Sequence, residues 1–179
     1  MGHFYFVRHG QTVWNVENKI CGATDSPLTE LGHQQAIKTG EMIKEMGLEI
    51  DQIICSPLSR AADTAKHISE IIQVPLRVEE RFKEQNFGKY ESTARDGKEF
   101  AKAKENFLYR YEGGESMLQM AQRIYNVLDE IKADEATTYM IVAHNGIARI
   151  VHSYFYELSN EDFANYGVDN CTVSVYEFK

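Results

Sequence analysis

The stretch that decides the fold reads Phe4-Tyr5-Phe6-Val7-Arg8-His9-Gly10-Gln11-Thr12. Its first four residues are apolar and aromatic or β-branched, a composition typical of a buried strand. The run stops at Arg8 and His9, because burying unpaired polar groups costs about 2–7 kcal/mol. Gly10 then lets the backbone turn without a Cβ clash. Since ligands of open α/β sheets bind just outside the carboxyl ends of the strands, we expect a ligand site here.

Two further apolar runs end in polar residues in the same way. The run 52–55 stops at Ser56-Pro57, and Arg60 follows one turn into the next helical pattern. The run 139–143 stops at His144. If these strands are parallel neighbours of the first, their carboxyl ends place two arginines and two histidines around one cavity.

Helical periodicity fills the intervals between the strand-like runs. The pattern predicts helices over about 30–46 (between Thr29 as N-cap and Gly47 as C-terminal glycine), 58–73, 96–107 and 117–131, and a helical face over 147–158. Weaker strands are predicted at 76–78 and 172–178. This alternation predicts an α/β fold, a three-layer α/β/α sandwich around a mostly parallel sheet. We expect residues 1–179 to form a single domain, with a small cap over the site at about 85–113.

Composition narrows the functional classes. A formal net charge of −8 argues against a general binder of nucleic acids or anionic membranes, although a local cationic pocket is still possible. Three scattered cysteines without a CxxC pair fit a reducing compartment better than a disulfide framework or a thiolate zinc site. The apolar run at the N-terminus is too short for a signal peptide, and no stretch approaches the ~18 apolar residues of a membrane span. We therefore expect a cytoplasmic protein without membrane association.

A pocket built from two arginines and two histidines suits a phosphoryl group. The planar guanidinium matches phosphate oxygens bidentately, and at ~4 Å and an effective dielectric near 20 each charge contact contributes about 4 kcal/mol before desolvation. A neutral His9 can act as nucleophile, while Arg8, Arg60 and a protonated His144 neutralise charge. Glu84, a few residues after the third strand, could protonate the leaving alcohol and then deprotonate the attacking water. The sequence contains no carboxylate cluster suited to magnesium, so neither metal nor cofactor is expected.

Six segments, in order along the chain, carry a resemblance to a known family. They are 7–12 with Asn15, 21–29, 56–61 with 64–65, 84–88, 114–116 and 142–144. At these segments the sequence resembles the histidine phosphatase superfamily, in its phosphoglycerate-mutase-like branch. The resemblance implies that His9 becomes a phosphohistidine, that Arg8, Arg60 and His144 hold the phosphoryl oxygens, and that Glu84 donates a proton. It also implies a further group of substrate- or phosphate-binding residues: Asn15, Gln11, Cys21, Gly22 and Asn145.

Two segments depart from the family pattern. Where the family has His-Gly-Gly or His-Gly-Asn, this chain has His144-Asn145-Gly146, which changes the side chain that faces the pocket. Where the family commonly has Trp-Glu-Gly after Gly88, this chain has Tyr90-Glu91-Ser92. This difference affects the backbone geometry with which the chain enters the cap.

The expected activity is that of a metal-independent phosphomonoesterase acting on a small phosphorylated metabolite. A phosphoglycerate mutase is the alternative, with the same chemistry but return of the phosphoryl group to a second hydroxyl. The resemblance favours hydrolysis, because mutases of this branch carry a longer basic insertion that grips the substrate carboxylate and excludes water, whereas the segment here is short and nearly balanced in charge. Three further hypotheses are a protein phosphatase, a non-catalytic module that binds a phosphorylated ligand, and a metal hydrolase with His9 and His144 as metal ligands. A non-catalytic module would have lost His9 or Glu84. A metal hydrolase would be inhibited by EDTA.

Overall fold

The computed structural model describes residues 2–179, and a five-stranded sheet lies at its centre. The strands are β1 (His3–Arg8), β2 (Gln52–Cys55), β3 (Leu76–Val78), β4 (Tyr139–Ala143) and β5 (Val173–Glu177). Their order across the sheet is β3-β2-β4-β1-β5. All neighbouring pairs are parallel except β1 and β5, which are antiparallel. The predicted mostly parallel sheet is confirmed, and β1, β2 and β4 end at the same edge.

Helices cover both faces of this sheet. Within residues 2–179 they are α1 (Val13–Val16), α2 (Glu30–Met46), α3 (Ser59–Ile72), α4 (Lys98–Lys104), α5 (Met117–Ala133), α6 (Asn145–Phe155) and α7 (Asn160–Asn165). Short 3-10 turns occupy Glu80–Phe82 and Gly88–Tyr90. No helix in this part of the chain has the length and apolar character of a membrane span.

The residues of β2 alternate between the two faces of the sheet and contribute to the core on each face. Ile53 and Cys55 pack on the face covered by α2 and α3, whereas Ile54 packs on the face covered by α5 and α6. Successive strand residues point to opposite faces, so a continuous apolar run supplies both cores. The three-layer α/β/α sandwich predicted from the sequence is therefore confirmed.

Helix boundaries follow the local capping signals closely. The helix predicted over 30–46 is α2, with the Thr29 hydroxyl accepting from the Gly32 amide at 3.0 Å and Gly47 in the left-handed conformation at φ 63°. The helix predicted over 96–107 is shorter, and the helical face predicted over 147–158 ends at Phe155, the last residue of α6. A separate helix, α7, begins where the Ser159 hydroxyl accepts from the Asp162 amide at 3.0 Å.

The irregular segment 85–113 has a small apolar cluster of its own. Its aromatic members are Phe87, Tyr90, Phe100 and Tyr111, and Ile20 joins them from the loop after α1. This cluster is separate from the two cores that flank the sheet. A cap at about 85–113 and a single domain over 1–179 stay predictions; residue 1 lies outside the described residues.

The loop after β1 and the start of α2 approach each other at two glycines. A Cβ at Gly10 would collide with the carbonyl oxygen of Gly32, and a Cβ at Gly32 would collide with the carbonyl oxygen of Gln11. Because the contacts are backbone to backbone, neither side can yield without moving α2 or the strand end. This contact fixes the loop that carries His9.

Gly32→Ala should therefore destabilise the protein although alanine favours helices. Overpacking of a tight contact costs about 1–3 kcal/mol, which exceeds the gain of roughly 1 kcal/mol in helix propensity. Urea unfolding measures the free energy of unfolding, with Glu41→Ala on the exposed face of α2 as the matched control. A Gly32→Ala protein as stable as the wild type would show that the two backbones do not approach this closely.

Candidate active site

A cavity of about 130 Å³ lies at the carboxyl edge of the sheet. Six of the ten residues predicted for the site line it: Arg8, His9, Asn15, Cys21, Glu84 and Asn145. Arg60 and His144 are fully buried behind its lining, and Gln11 and Gly22 do not line it.

His9 lies at the end of β1 with a fixed tautomer. Its Nδ1 lies 2.7 Å from the carbonyl oxygen of Gly10. A carbonyl can only accept, so Nδ1 carries the proton and Nε2 carries the lone pair of the neutral ring. The side chain of Asn170 donates to the His9 carbonyl at 2.8 Å, which holds the backbone below the ring. His9 therefore offers Nε2 as a nucleophile.

His144 lies beside His9 at the end of β4. The two ring centroids are 5.2 Å apart, and His144 Nε2 lies 2.6 Å from the Ser56 hydroxyl oxygen. The close pair of strand ends predicted from the sequence is thus present in the structure. Ser56, the residue that stops β2, serves as a partner for His144, a role that the sequence did not suggest.

Both histidines are neutral in the free protein. Burial lowers the pKa of His9 and of His144 well below 6.5, and the positive charges of Arg60 and Arg8 lower it further. Neutrality suits His9 as a nucleophile, and it follows from the burial of each imidazole beside two guanidinium groups. The expected proton on His144 belongs to the ligand-bound site and stays a prediction. The negative charge of a phosphate dianion in the site would raise the pKa values of both rings.

Arg60 is held by backbone carbonyls of the loop after α1. Its Nη2 donates to the Gly22 carbonyl at 2.7 Å and its Nη1 to the Thr24 carbonyl at 3.0 Å, with the Asp25 carboxylate farther away at 3.4 Å. The Gly22 backbone therefore positions Arg60 without lining the cavity. Because carbonyls carry no net charge, most of the positive charge of Arg60 is left for a ligand.

Three buried nitrogen atoms at the site lack a partner. They are Arg8 Nε, Arg60 Nε and His144 Nδ1, none of which forms a hydrogen bond within residues 2–179. Buried polar groups in proteins nearly always have partners, and exceptions need an explanation. A phosphoryl group, with several acceptor oxygens, matches such a set of nitrogen atoms.

Glu84 is fixed against the start of α6. Its carboxylate accepts from the Gly146 amide and from the Gln85 amide, both at 2.9 Å, and only 5% of the residue is exposed. A Cβ at residue 146 would collide with this carboxylate, so the glycine in His144-Asn145-Gly146 gives Glu84 its place. The Asn145 side chain accepts from the Val168 amide at 2.9 Å while it lines the cavity.

The remaining predicted residues have mixed roles. Asn15 Oδ1 accepts from the Thr12 amide at 3.0 Å, so its amide nitrogen is the group that can meet a ligand. Burial raises the pKa of the Cys21 thiol to about 11, which fits a wall residue rather than a reactive thiolate. The Gln11 amide oxygen accepts from the Thr29 hydroxyl at 2.9 Å, which ties Gln11 to the start of α2 instead of the cavity.

Comparison with known proteins identifies the architecture. A family model described as the histidine phosphatase superfamily (branch 1) matches residues 4–179. The chain belongs to this superfamily. A probable phosphoglycerate mutase, GpmB, from Erwinia tasmaniensis is 33% identical over 180 residues, 95% of this chain and 82% of that protein. An uncharacterized phosphatase, PhoE, from Bacillus subtilis is 31% identical over 156 residues, 87% of this chain and 77% of that protein.

A solved structure agrees with these sequence relatives. Mycobacterial glucosyl-3-phosphoglycerate phosphatase, complexed with VO3, has a TM-score of 0.84 at 26% identity, over 98% of this chain and 90% of that chain. The family predicted from the six segments is therefore confirmed, and its members include phosphatases and mutases.

Glu91 organises the loop that carries Gly22 and Ala23. Its carboxylate accepts from the amides of Gly22 at 3.1 Å and of Ala23 and Phe87 at 3.0 Å. The sequence Tyr90-Glu91-Ser92 thus retains the acid of the common pattern. Ser92 replaces the glycine and has φ 65°, a left-handed conformation that disfavours most residues other than glycine.

Sequence reasoning missed three cations that line the cavity: Arg95, Lys104 and Arg149. The charges of the segment 85–113 nearly balance in the sequence, but its acids Glu99 and Glu112 pair with Lys89 at 3.1 and 2.7 Å and leave Arg95 and Lys104 without them. Arg149 had a usable signal, because a single cation interrupts the apolar face of α6 one turn after Asn145.

The described chain has no evident metal-binding cluster. Residues 2–179 contain no group of three or more His, Cys, Asp or Glu side chains placed to hold a metal ion. That this superfamily member acts without metal or cofactor stays a prediction.

The rings of His9 and His144 should stay neutral to well below pH 6.5 in the ligand-free protein. The folded pKa values lie below the unfolded value, so the stability that the two rings contribute is fully present above about pH 6.5 and decreases as the pH falls below it. Nitrogen NMR shifts of the labelled rings between pH 8 and pH 5 measure this directly, with the urea-unfolded chain as reference. A titration midpoint near the reference value for either ring would contradict the assignment.

Proposed function

We propose that this histidine phosphatase hydrolyses a small phosphomonoester through a phosphohistidine on His9, without a metal or other cofactor. The observation that carries the proposal is the fixed tautomer of His9, since Nδ1 donates to the Gly10 carbonyl and the Nε2 lone pair is left for attack. The burial that keeps the ring neutral supports the same role. The partner is a small-molecule substrate, in keeping with a cavity of about 130 Å³.

In the first step, His9 Nε2 attacks phosphorus as the bond to the ester oxygen breaks. The unpartnered nitrogen atoms of Arg8, Arg60 and His144 are the groups that can stabilise charge on the phosphoryl oxygens. Glu84 gives a proton to the departing alkoxide. The carboxyl group suits this task because two backbone amides hold it in a fixed position beside the cavity.

In the second step, water attacks the phosphohistidine. Glu84, now ionised, takes a proton from the water as the water oxygen bonds to phosphorus. The P–N bond breaks, its electron pair returns to His9 Nε2, and inorganic phosphate leaves. Both the nucleophile and the acid are then in their starting states. The cycle needs no co-reactant other than water.

A phosphoglycerate mutase is the second candidate, and one observation favours it. Arg95, Lys104 and Arg149 line the cavity and could hold a carboxylate, and a relative at 33% identity is named a probable phosphoglycerate mutase. Hydrolysis is still the better supported reaction, because Arg95 lies exposed at the cavity rim and α4 is only seven residues long, which gives water access. The structural relative is named a phosphatase as well.

Two assays on the same protein separate these reactions. Phosphate release from p-nitrophenyl phosphate and 3-phosphoglycerate measures hydrolysis, and coupling 3-phosphoglycerate to enolase measures mutase activity. We expect phosphate release that EDTA does not reduce and no enolase-coupled signal. A dominant enolase-coupled signal would favour the mutase, and loss of activity in EDTA that metal restores would favour a metal hydrolase.

His9→Ala should abolish turnover without unfolding the protein. Removal of a nucleophile lowers kcat by on the order of 10³-fold or more. Phosphate release is the measurement, and His67→Ala is the control, because His67 pairs with His33 between α2 and α3, with Nε2 and Nδ1 2.9 Å apart. A variant that kept a tenth of wild-type activity would rule out His9 as the nucleophile.

Glu84→Gln should act selectively on poor leaving groups. A missing general acid slows alkyl phosphates by roughly 10²–10⁴-fold, but it matters much less for p-nitrophenol, which leaves readily without a proton. The kcat values for glycerol 3-phosphate and p-nitrophenyl phosphate measure the difference, with the exposed Glu80→Gln as control. Equal losses for both substrates would remove the acid role.

A further inference from the structure

Glu91 is a half-buried acid that does not line the cavity. Its carboxylate accepts from the backbone amides of three consecutive residues in the loop after α1. They are Gly22 at 3.1 Å, Ala23 at 3.0 Å and Thr24 at 3.4 Å. Hydrogen bonds to a charged acceptor are the stronger kind, so this carboxylate largely determines the conformation of residues 21–24, called loop 21–24 below.

Arg60 lies on the other side of the same loop. Its Nη2 donates to the Gly22 carbonyl at 2.7 Å and to the Cys21 carbonyl at 3.4 Å. In a planar trans peptide group the N–H and the C=O point in opposite directions. The peptide groups Cys21–Gly22 and Gly22–Ala23 therefore present their oxygen atoms to Arg60 and their N–H groups to Glu91.

The two charges act on each other through these peptide groups. Each peptide carries a dipole of about 3.5 D, and here its negative end faces the guanidinium. A carboxylate at the N–H end polarises the group further, because hydrogen bonds in a chain strengthen one another. Burial raises the pKa of the Cys21 thiol to about 11, while Arg60 lowers it and Glu91 raises it, so both charges reach loop 21–24.

Backbone contacts keep Glu91 and loop 21–24 together. A Cβ at Gly22 would collide with the Glu91 carboxylate, so only glycine permits this approach. The Ser92 amide donates to the Ile20 carbonyl at 2.9 Å, and the Ile20 amide donates to the Thr93 carbonyl at 2.8 Å. The residues that follow Glu91 are thus paired with the residue that precedes the loop.

We propose that Glu91 is a positioning residue for Arg60: its carboxylate aligns the carbonyls of loop 21–24, which hold the guanidinium toward the phosphoryl group. The inference rests on the proposed function, because it needs a phosphoryl group in the cavity. It makes phosphoryl transfer depend on an acid that touches no substrate. Glu91 supports Arg60 from a distance, so its negative charge is kept away from the reacting atoms.

The charge of Glu91 alone would have the opposite effect on catalysis. Removal of a negative charge near a cationic cavity strengthens the attraction for an anion, so Coulomb's law predicts higher kcat/KM in Glu91→Gln. Loss of alignment predicts lower kcat/KM, because glutamine presents an NH2 donor where backbone amides need an acceptor. The sign of the change therefore separates positioning from simple charge repulsion.

The kcat/KM value for p-nitrophenyl phosphate, measured on the full chain, tests the link to Arg60. We expect Glu91→Gln to lower it about tenfold or more in the wild-type background. In an Arg60→Met background the same substitution should change it by less than about twofold, because residues that act through one contact are not additive. If Arg60→Met does not fold, Arg60→Lys takes its place.

Glu99→Gln is the matched control for the loss of one negative charge. Glu99 is an exposed acid of α4, and its side chain pairs with Lys89 at 3.1 Å. Exposed ion pairs contribute little, so the control should stay within about twofold of the wild type. If Glu91→Gln does not fold, Glu91→Asp replaces it, because aspartate keeps the charge but is one methylene shorter.

Nitrogen NMR of the Arg60 side chain gives an independent readout. Both Nη groups are bonded to carbonyls, so the ligand-free wild type should show separate Nη signals. Glu91→Gln should merge these signals, because the guanidinium rotates more freely when the carbonyls lose their alignment. The dispersed amide signals of the same spectrum show that the variant is folded.

Each outcome decides the role of Glu91. An unchanged or higher kcat/KM in Glu91→Gln, equal losses in both Arg60 backgrounds, or separate Nη signals in the variant would overturn the positioning role. If the wild type releases phosphate in that case, the proposed function stands without it. If the wild type releases no phosphate from any phosphomonoester, both proposals fail.

Discussion

Buried positive charge, held mainly by backbone carbonyls, is the constraint on which this active site depends. The Gly22 and Thr24 carbonyls are the nearest partners of Arg60, with the half-exposed Asp25 carboxylate farther away at 3.4 Å, and Arg149 donates to the Tyr166 carbonyl. A close, buried carboxylate would stabilise each guanidinium more strongly, but it would also cancel the charge that an anion needs. The backbone carbonyls orient the cations while leaving the field of the cavity positive.

The same field decides the protonation of the histidines. A ring buried beside Arg8 and Arg60 loses its proton at neutral pH, so His9 is ready for attack before substrate arrives. Its orientation comes from the Gly10 carbonyl, at a strand end that the close approach of Gly10 and Gly32 fixes. Nucleophilicity and position therefore have separate structural causes, one electrostatic and one steric.

Much of this site could be predicted because its residues directly follow apolar strands. Arg8, His9 and His144 end runs whose burial is evident from the sequence, and parallel pairing brings those ends together. The cations of the segment 85–113 could not be placed, since Arg95 precedes the predicted helix over 96–107 and the pattern of that helix does not indicate how Lys104 lies relative to the strand ends. The neutral state of ligand-free His144 could not be predicted from the sequence either, because it depends on burial and on the distance to Arg60, which only the folded chain sets.

Arg8 and His9 form one electrostatic system with the three further cations that line the cavity, Arg95, Lys104 and Arg149. Arg95 lowers the pKa of His9 from outside the strand ends, and the charge of Glu84 raises the pKa values of Arg8, Lys104 and Arg149 from between the two groups. Under the proposed function, a phosphate dianion beside Arg8 and Arg60 would offset the repulsion that lowers the pKa of His144. Substrate charge would then complete a site that the protein alone leaves too positive for a proton on that ring.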